Sequence, residues 1–174
     1  MKKYFLLLIA LVAISFSSNA QKFAYVDSEY ILGNITEYNE AQTKLDDISK
    51  GWQKEIETKY KEIDQMYKNY QQEQVLLTEE MKQNRQKEIE DKEKSAKELQ
   101  KKYFGFEGEL FKKRQELVKP IQDKVYDAIA KVATTKAYDF VFDKSSGAVM
   151  LYTNAKFDIS DDVVKQLGYT PKPK

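Results

Sequence analysis

The sequence predicts an α+β chain that is mostly α, in which a long antiparallel helical hairpin stands on a small β body. Three observations predict it. From Thr36 to about Thr135, Glu, Lys, Gln and Asp dominate and Pro120 is the only proline. Apolar residues inside that stretch recur at alternating steps of four and three, the spacing of a helix with one narrow packing seam. Short aromatic and β-branched runs lie on either side of it.

The 174 residues allow one ordinary domain or one elongated unit. With no Cys and no His, the chain has no disulfide, no thiol or imidazole catalysis and no zinc site of the usual ligand type. No cofactor is expected, and no GxxxxGK[ST] phosphate loop is present.

Residues 1–20 read as a cleavable secretory signal. Lys2 and Lys3 precede an apolar run from Tyr4 to Phe16, and Ser18-Asn19-Ala20 supplies the small residues of a cleavage site. The run falls short of the roughly 20 apolar residues a membrane span needs. Without the signal, 27 basic residues face 28 acidic ones, a balance that argues against nucleic acid as partner. An exported chain without Cys must draw its stability from burial, within one copy or between copies.

The β body is expected over 21–35 and 136–168. Phe23-Ala24-Tyr25-Val26-Asp27 reads as a strand, followed by a short helical turn capped by Asp27 or Ser28 and stopped at Gly33-Asn34. Tyr138 to Asp143 reads as a second strand, Lys144 to Gly147 as a turn and Ala148 to Tyr152 as a third strand. Ser160 is positioned to cap a last helix over 161–167 that ends at Gly168, and 169–174 reads as a disordered tail. Phe23, Tyr25, Phe140, Phe142, Val149 and Leu151 form one apolar face, while Ala24, Val26, Val141, Ala148 and Met150 form the other. A few strands with two apolar faces need outside cover, so Phe23, Tyr25, Val26, Phe140, Phe142, Val149 and Leu151 are candidates for contact with other copies of the chain.

The hairpin is expected over 36–135 as helices at about 36–77 and 79–135. Ile56, Tyr60, Ile63, Tyr67, Tyr70, Gln74 and Leu77 form the first seam. Ala96, Leu99, Tyr103, Phe106, Leu110, Arg114, Leu117, Ile121, Val125, Ala128 and Val132 form the second. Thr78 can cap the returning helix, which favours a fold-back over one continuous helix of about 100 residues. Folding there sets Gly105 and Gly108 opposite Gly51 and Trp52. These four are candidates for a hinge, for space around the indole, or for both.

Phe104, Phe111 and Val118 repeat every seven residues one place after the seam, and Met66, Val75 and Leu76 also lie off it. They are the candidates for contact with a bound partner, with packing inside the hairpin as the competing role.

In their order along the chain, several segments resemble the Skp (OmpH-like) family of periplasmic chaperones. They are the opening strand running into Asp27-Ser28-Glu29-Tyr30-Ile31-Leu32, then Glu37-Tyr38, the charged helices, and Lys119-Pro120-Ile121 leading into 128–133. Tyr138 to Asp143 and the closing Asp158-Ile159-Ser160-Asp161-Asp162-Val163 complete the set. The resemblance implies a homotrimer with a shared β barrel and three hairpins hanging as tentacles. It implies an ATP-independent holdase that keeps unfolded outer-membrane proteins from aggregating in the periplasm. The best-known members have strongly basic tentacles. Here residues 50–80 carry five Lys against seven acids, and 81–101 carry seven basic residues against five acids. A headgroup site is therefore not carried over, although Lys82, Arg85 and Lys87 leave a weak contact with a membrane surface or with assembly machinery open. The rival readings are a coiled-coil spacer of the envelope and an enzyme built on Asp27, Glu29, Asp139, Asp143 and Asp158, which caps and turns explain better.

Overall fold

The structure is a computed structural model that describes residues 21–147 and 150–173. The expected signal segment, Ala148 and Val149 lie outside the described residues. The chain forms two compact units, one from the segments up to Asn34 and from Val125 onward, the other from Ile35–Lys124.

In the first unit, β1 (Phe23–Val26) and β2 (Phe140–Asp143) pair in parallel, with Phe23 opposite Phe140 and Tyr25 opposite Phe142. A parallel pair needs a long crossover, and the whole helical segment supplies it. The other edge of β1 is bridged at Asp158, where the Ile159 N–H donates to the Tyr25 carbonyl at 3.0 Å. Short helix α1 (Ser28–Gly33) starts at Asp27, whose carboxylate accepts the Tyr30 N–H at 2.9 Å. Ala24, Val26, Ile31, Ile159, Val163 and Val164 are buried.

Several expectations for this unit change. Met150, Leu151 and Tyr152 are not in a strand, and the Leu151 side chain is exposed. Ser160 does not cap the last helix. Its hydroxyl is buried and accepts the Asp27 N–H at 2.9 Å, a contact 133 residues away in sequence, while the Asp158 carboxylate accepts the Ser160 N–H. The tail is not loose. Tyr30 donates its hydroxyl to the Lys172 carbonyl at 2.7 Å, the Lys172 N–H donates to Asn34 Oδ1 at 2.8 Å, and the Tyr169 N–H donates to the Val164 carbonyl. Polar chemistry upstream, invisible in a Pro-Lys repeat, ties the end down.

In the second unit, α2 (Thr36–Glu73) runs into a 3₁₀ turn at Gln74–Leu76, and α3 (Glu79–Phe104) returns. At ~1.5 Å per residue, α2 is roughly 57 Å long. Thr78 caps the return, its hydroxyl accepting the Met81 N–H at 3.3 Å. Ile63, Ile89 and Ala96 form the buried seam, with Met66 and Tyr70 packed against it. The tyrosines bind it further by crossing to the facing helix. Tyr67 donates to Glu93 at 3.1 Å and Tyr103 to Glu55 at 3.0 Å, while Gln86 donates to the Tyr70 oxygen at 2.8 Å. Hydrogen bonding to the two glutamates holds the Tyr67 and Tyr103 phenols above their ordinary pKa.

The returning helix is not continuous as expected. It stops at Phe104 and resumes as α4 (Glu109–Thr135), with Gly105-Phe106-Glu107-Gly108 between. A β-carbon on Gly105 would stand 2.3 Å from the Lys101 carbonyl oxygen, and one on Gly108 within 3.0 Å of three carbonyl oxygens. Glu107 adopts φ 52°. By contrast α2 passes through Gly51 unbroken, with nothing within 4 Å of its missing side chain. Trp52 stacks on Tyr103 with ring centroids 4.5 Å apart.

Candidate functional site

Parallel register places Phe23, Phe140 and Phe142 on one face of the sheet, since paired residues share a side. Their rings stack at 5.5 Å and 6.3 Å, and each is close to half exposed. Beside them opens a cavity of about 640 Å³ whose lining includes the aromatic residues Phe23, Tyr25, Tyr138, Phe142, Tyr152 and Phe157. Among the described residues nothing pairs with the outer edge of β2. Of the residues expected to face other copies, Phe23, Phe140, Phe142 and Leu151 are exposed. Tyr25 and Val26 are buried in their own chain.

The β2 end is held by charge-assisted hydrogen bonds. Asp143 accepts the Ser28 hydroxyl at 2.7 Å, the Ser145 hydroxyl at 2.8 Å and both backbone N–H groups at 3.1 Å. Desolvation pushes its carboxyl upward, but the Ser28 and Ser145 donors outweigh it and leave the pKa below the ordinary aspartate value. A carboxylate with a depressed folded-state pKa adds stability that is complete above its unfolded value and is lost as pH falls through the folded one. Urea unfolding of Asp143→Asn beside the parent is therefore expected to show a constant gap from pH 7 to about 5 that closes below about pH 4. A gap unchanged at pH 3 would remove this role.

In the helical unit the off-seam residues separate. Val75 and Leu76, in the turn between α2 and α3, are 83 % and 85 % exposed. Phe111 is about half exposed, while Met66 packs on the Ile63 seam and Phe104 stands edge-on to Trp52 at 6.3 Å. Val118 is only 3 % exposed and forms a core cluster with Ala41 and Leu45, so it cannot meet a partner. Phe106, placed in the seam by its spacing, is 97 % exposed, because the break after Phe104 lifts it out of the helix. The basic residues nearest the turn are engaged: Lys82 with Glu79 at 2.7 Å, and Arg85 with Glu88 at 3.7 Å and Glu73 at 3.9 Å.

Among the described residues no group of His, Cys, Asp and Glu is arranged to hold a metal, and no helix is long and apolar enough to cross a membrane. The first unit offers an apolar face and an open strand edge, and the second offers exposed apolar side chains among charged ones. The family model for outer membrane protein (OmpH-like) matches residues 22–167. The chain belongs to the OmpH-like family. A protein of Aquifex aeolicus (strain VF5), described only as uncharacterized, is 35 % identical over 167 residues, covering 96 % of each chain. The OmpH-like fold is also that of a candidate outer membrane chaperone (OmpH-like) from Caulobacter crescentus CB15, known from a crystal structure at 2.83 Å. The two superpose with a TM-score of 0.67 at 16 % identity, over 87 % of this chain and 86 % of that one.

Proposed function

We propose that this OmpH-like chain is an ATP-independent holdase that binds unfolded outer-membrane β-barrel proteins in the periplasm and acts as a homotrimer. The observation that carries the reading is the display of Val75, Leu76, Phe106 and Phe111 on an otherwise charged helical unit. A spacer rod needs only its seam, and the adjacent, exposed Val75 and Leu76 are not part of one.

An unfolded barrel strand carries alternating apolar side chains and is prone to pair with its neighbours. Many weak apolar contacts, spaced by charged residues that keep the complex soluble, hold such a chain without trapping it. Release then needs no nucleotide, because no single contact is strong. The stacked phenylalanines and open β2 edge of the other unit are the surface on which the copies associate. Symmetric assembly brings several hairpins to bear on one client.

The test is dilution of a urea-unfolded outer-membrane barrel into buffer with the purified mature protein, with light scattering and molar mass followed together. Suppressed aggregation at three chains per client is expected. Val75→Ser with Leu76→Ser is expected to raise the concentration needed severalfold, each lost apolar contact being worth about 1–2 kcal/mol at most. Scattering that rises as fast with the protein as without it would overturn the reading.

A further inference from the structure

Residues Gln53, Ile56, Glu57 and Tyr60 lie on one face of α2, at the three-and-four spacing that brings helical side chains together. Gln100 and Phe104 of α3 meet them across the hairpin, and the six enclose an open hollow of about 310 Å³. That is the small end of the range of about 300–1,000 Å³ for ligand sites, room for one side chain. Its apolar surface is Ile56 with the rings of Tyr60 and Phe104. Its polar groups are two amides, a carboxylate and the Tyr60 hydroxyl.

The Glu57 carboxylate has no ion pair and no side-chain hydrogen bond among the described residues, although Lys54 and Lys61 lie on the same helix. Gln53 and Gln100 are likewise without side-chain partners there. All three are exposed, so a neutral apolar side chain in the hollow would displace part of their water and return no hydrogen bond. A guanidinium answers each feature. It has five N–H donors and no acceptor, and the rim offers a carboxylate and two amide oxygens. Its plane stacks on aromatic faces, and Tyr60 and Phe104 supply two. Lysine offers the charge without the plane.

We propose that this hollow is a subsite for an arginine side chain of an extended, unfolded polypeptide. The inference rests on the holdase reading only in that the arginine belongs to a client. It gives a chain without a basic hairpin its own means of choosing segments, through cation-bearing rather than acidic stretches. Glu57 supplies the charge, and Tyr60 and Phe104 supply the stacking surface.

Trp52 is the only tryptophan and stands edge-on to Phe104 at 6.3 Å, so its emission reports on the site. The assembled mature protein is titrated with a capped five-residue peptide of serine and threonine with arginine at its centre, and with the same peptide carrying citrulline or phenylalanine there. Arginine is expected to bind roughly fivefold or more tightly than citrulline, with the advantage shrinking in high salt. In Glu57→Gln that advantage is expected to vanish, and in Phe104→Leu both peptides weaken.

Equal binding of arginine and citrulline, or tighter binding of phenylalanine, would overturn the proposal. So would a fall in molar mass in Glu57→Gln, which would assign the hollow to a sister chain's Arg85 or Arg114, the only two arginines available. The scattering assay separates the two readings. A protein that suppresses aggregation yet ignores the arginine peptide remains a holdase without this subsite. One that selects the peptide but protects no client keeps the subsite and loses the holdase role.

Discussion

Replacing Phe140 and Phe142 by serine is expected to leave the chain folded and to separate the proposed trimer toward single copies. Both rings lie on the exposed face of the sheet, stacked with or near Phe23, and about half of each is still open to water. Burying that half against a neighbour is worth about 1 kcal/mol per ring, so two rings in each of three copies contribute roughly 6 kcal/mol. Losing it lowers the overall assembly constant by about 10⁴-fold, which for three copies raises the concentration of half-assembly by about 10²-fold. Sedimentation velocity reads the change in mass, and far-UV circular dichroism checks that the helices persist. The same exchange at Val26 is not equivalent. Its side chain is buried within one copy, and serine there would unfold the unit rather than separate the copies. An intact trimer in the double variant would place the association surface elsewhere and leave the aromatic stack unexplained.

That contrast marks where the sequence stops being informative. Alternation in Phe23-Ala24-Tyr25-Val26 shows two apolar faces, but which face the chain covers for itself depends on the Asp158 segment bridging β1, a partner over a hundred residues away. The hairpin was legible because its signals are local: the four-and-three seam, and Thr78 placed to cap the return. Val118 marks a limit of counting a narrow seam. The seam counted straight through 105–108 holds in α4, where Val125, Ala128 and Val132 are buried and Leu110, Leu117 and Ile121 pack against Ala41 and Leu45; the buried stripe is wider than a one-residue seam and takes in Val118, next to Leu117. Two glycines three residues apart signal the break at 105–108, and reading them as weak helix positions missed it. Ser160 failed differently. Its place before an acidic turn fits a cap, yet its hydroxyl serves the Asp27 N–H, and no local pattern announces a bond across 133 residues. The arginine subsite needs residues from two helices and could not be read from either one alone.

Gly105→Ala and Gly51→Ala are expected to move stability in opposite directions, although both change a glycine on this one hairpin. At Gly51 the helix is regular and open space surrounds the missing side chain, so alanine gains by up to about 1 kcal/mol through helix propensity and a less flexible unfolded chain. At Gly105 the N–H bonds the Lys101 carbonyl at 2.8 Å while the backbone turns out of the helix, and an added β-carbon meets that carbonyl oxygen at 2.3 Å. Backbone cannot swing aside as a side-chain tip can. Gly108 closes the other exit, its N–H on the Gly105 carbonyl at 2.9 Å and its own β-carbon position pressed against three carbonyl oxygens. The chain can escape only by carrying the helix through 105–108, which would shift α4 against its packing on Ala41 and Leu45. Either course is expected to destabilise Gly105→Ala by about 2–4 kcal/mol, with the Trp52 emission shifting as its stack on Tyr103 is disturbed. Urea midpoints at one temperature decide it. If both variants gained stability, the interruption would be slack that tolerates helix. If only Gly105→Ala lost it, the interruption is a fixed device that presents Phe106 to whatever the hairpin holds.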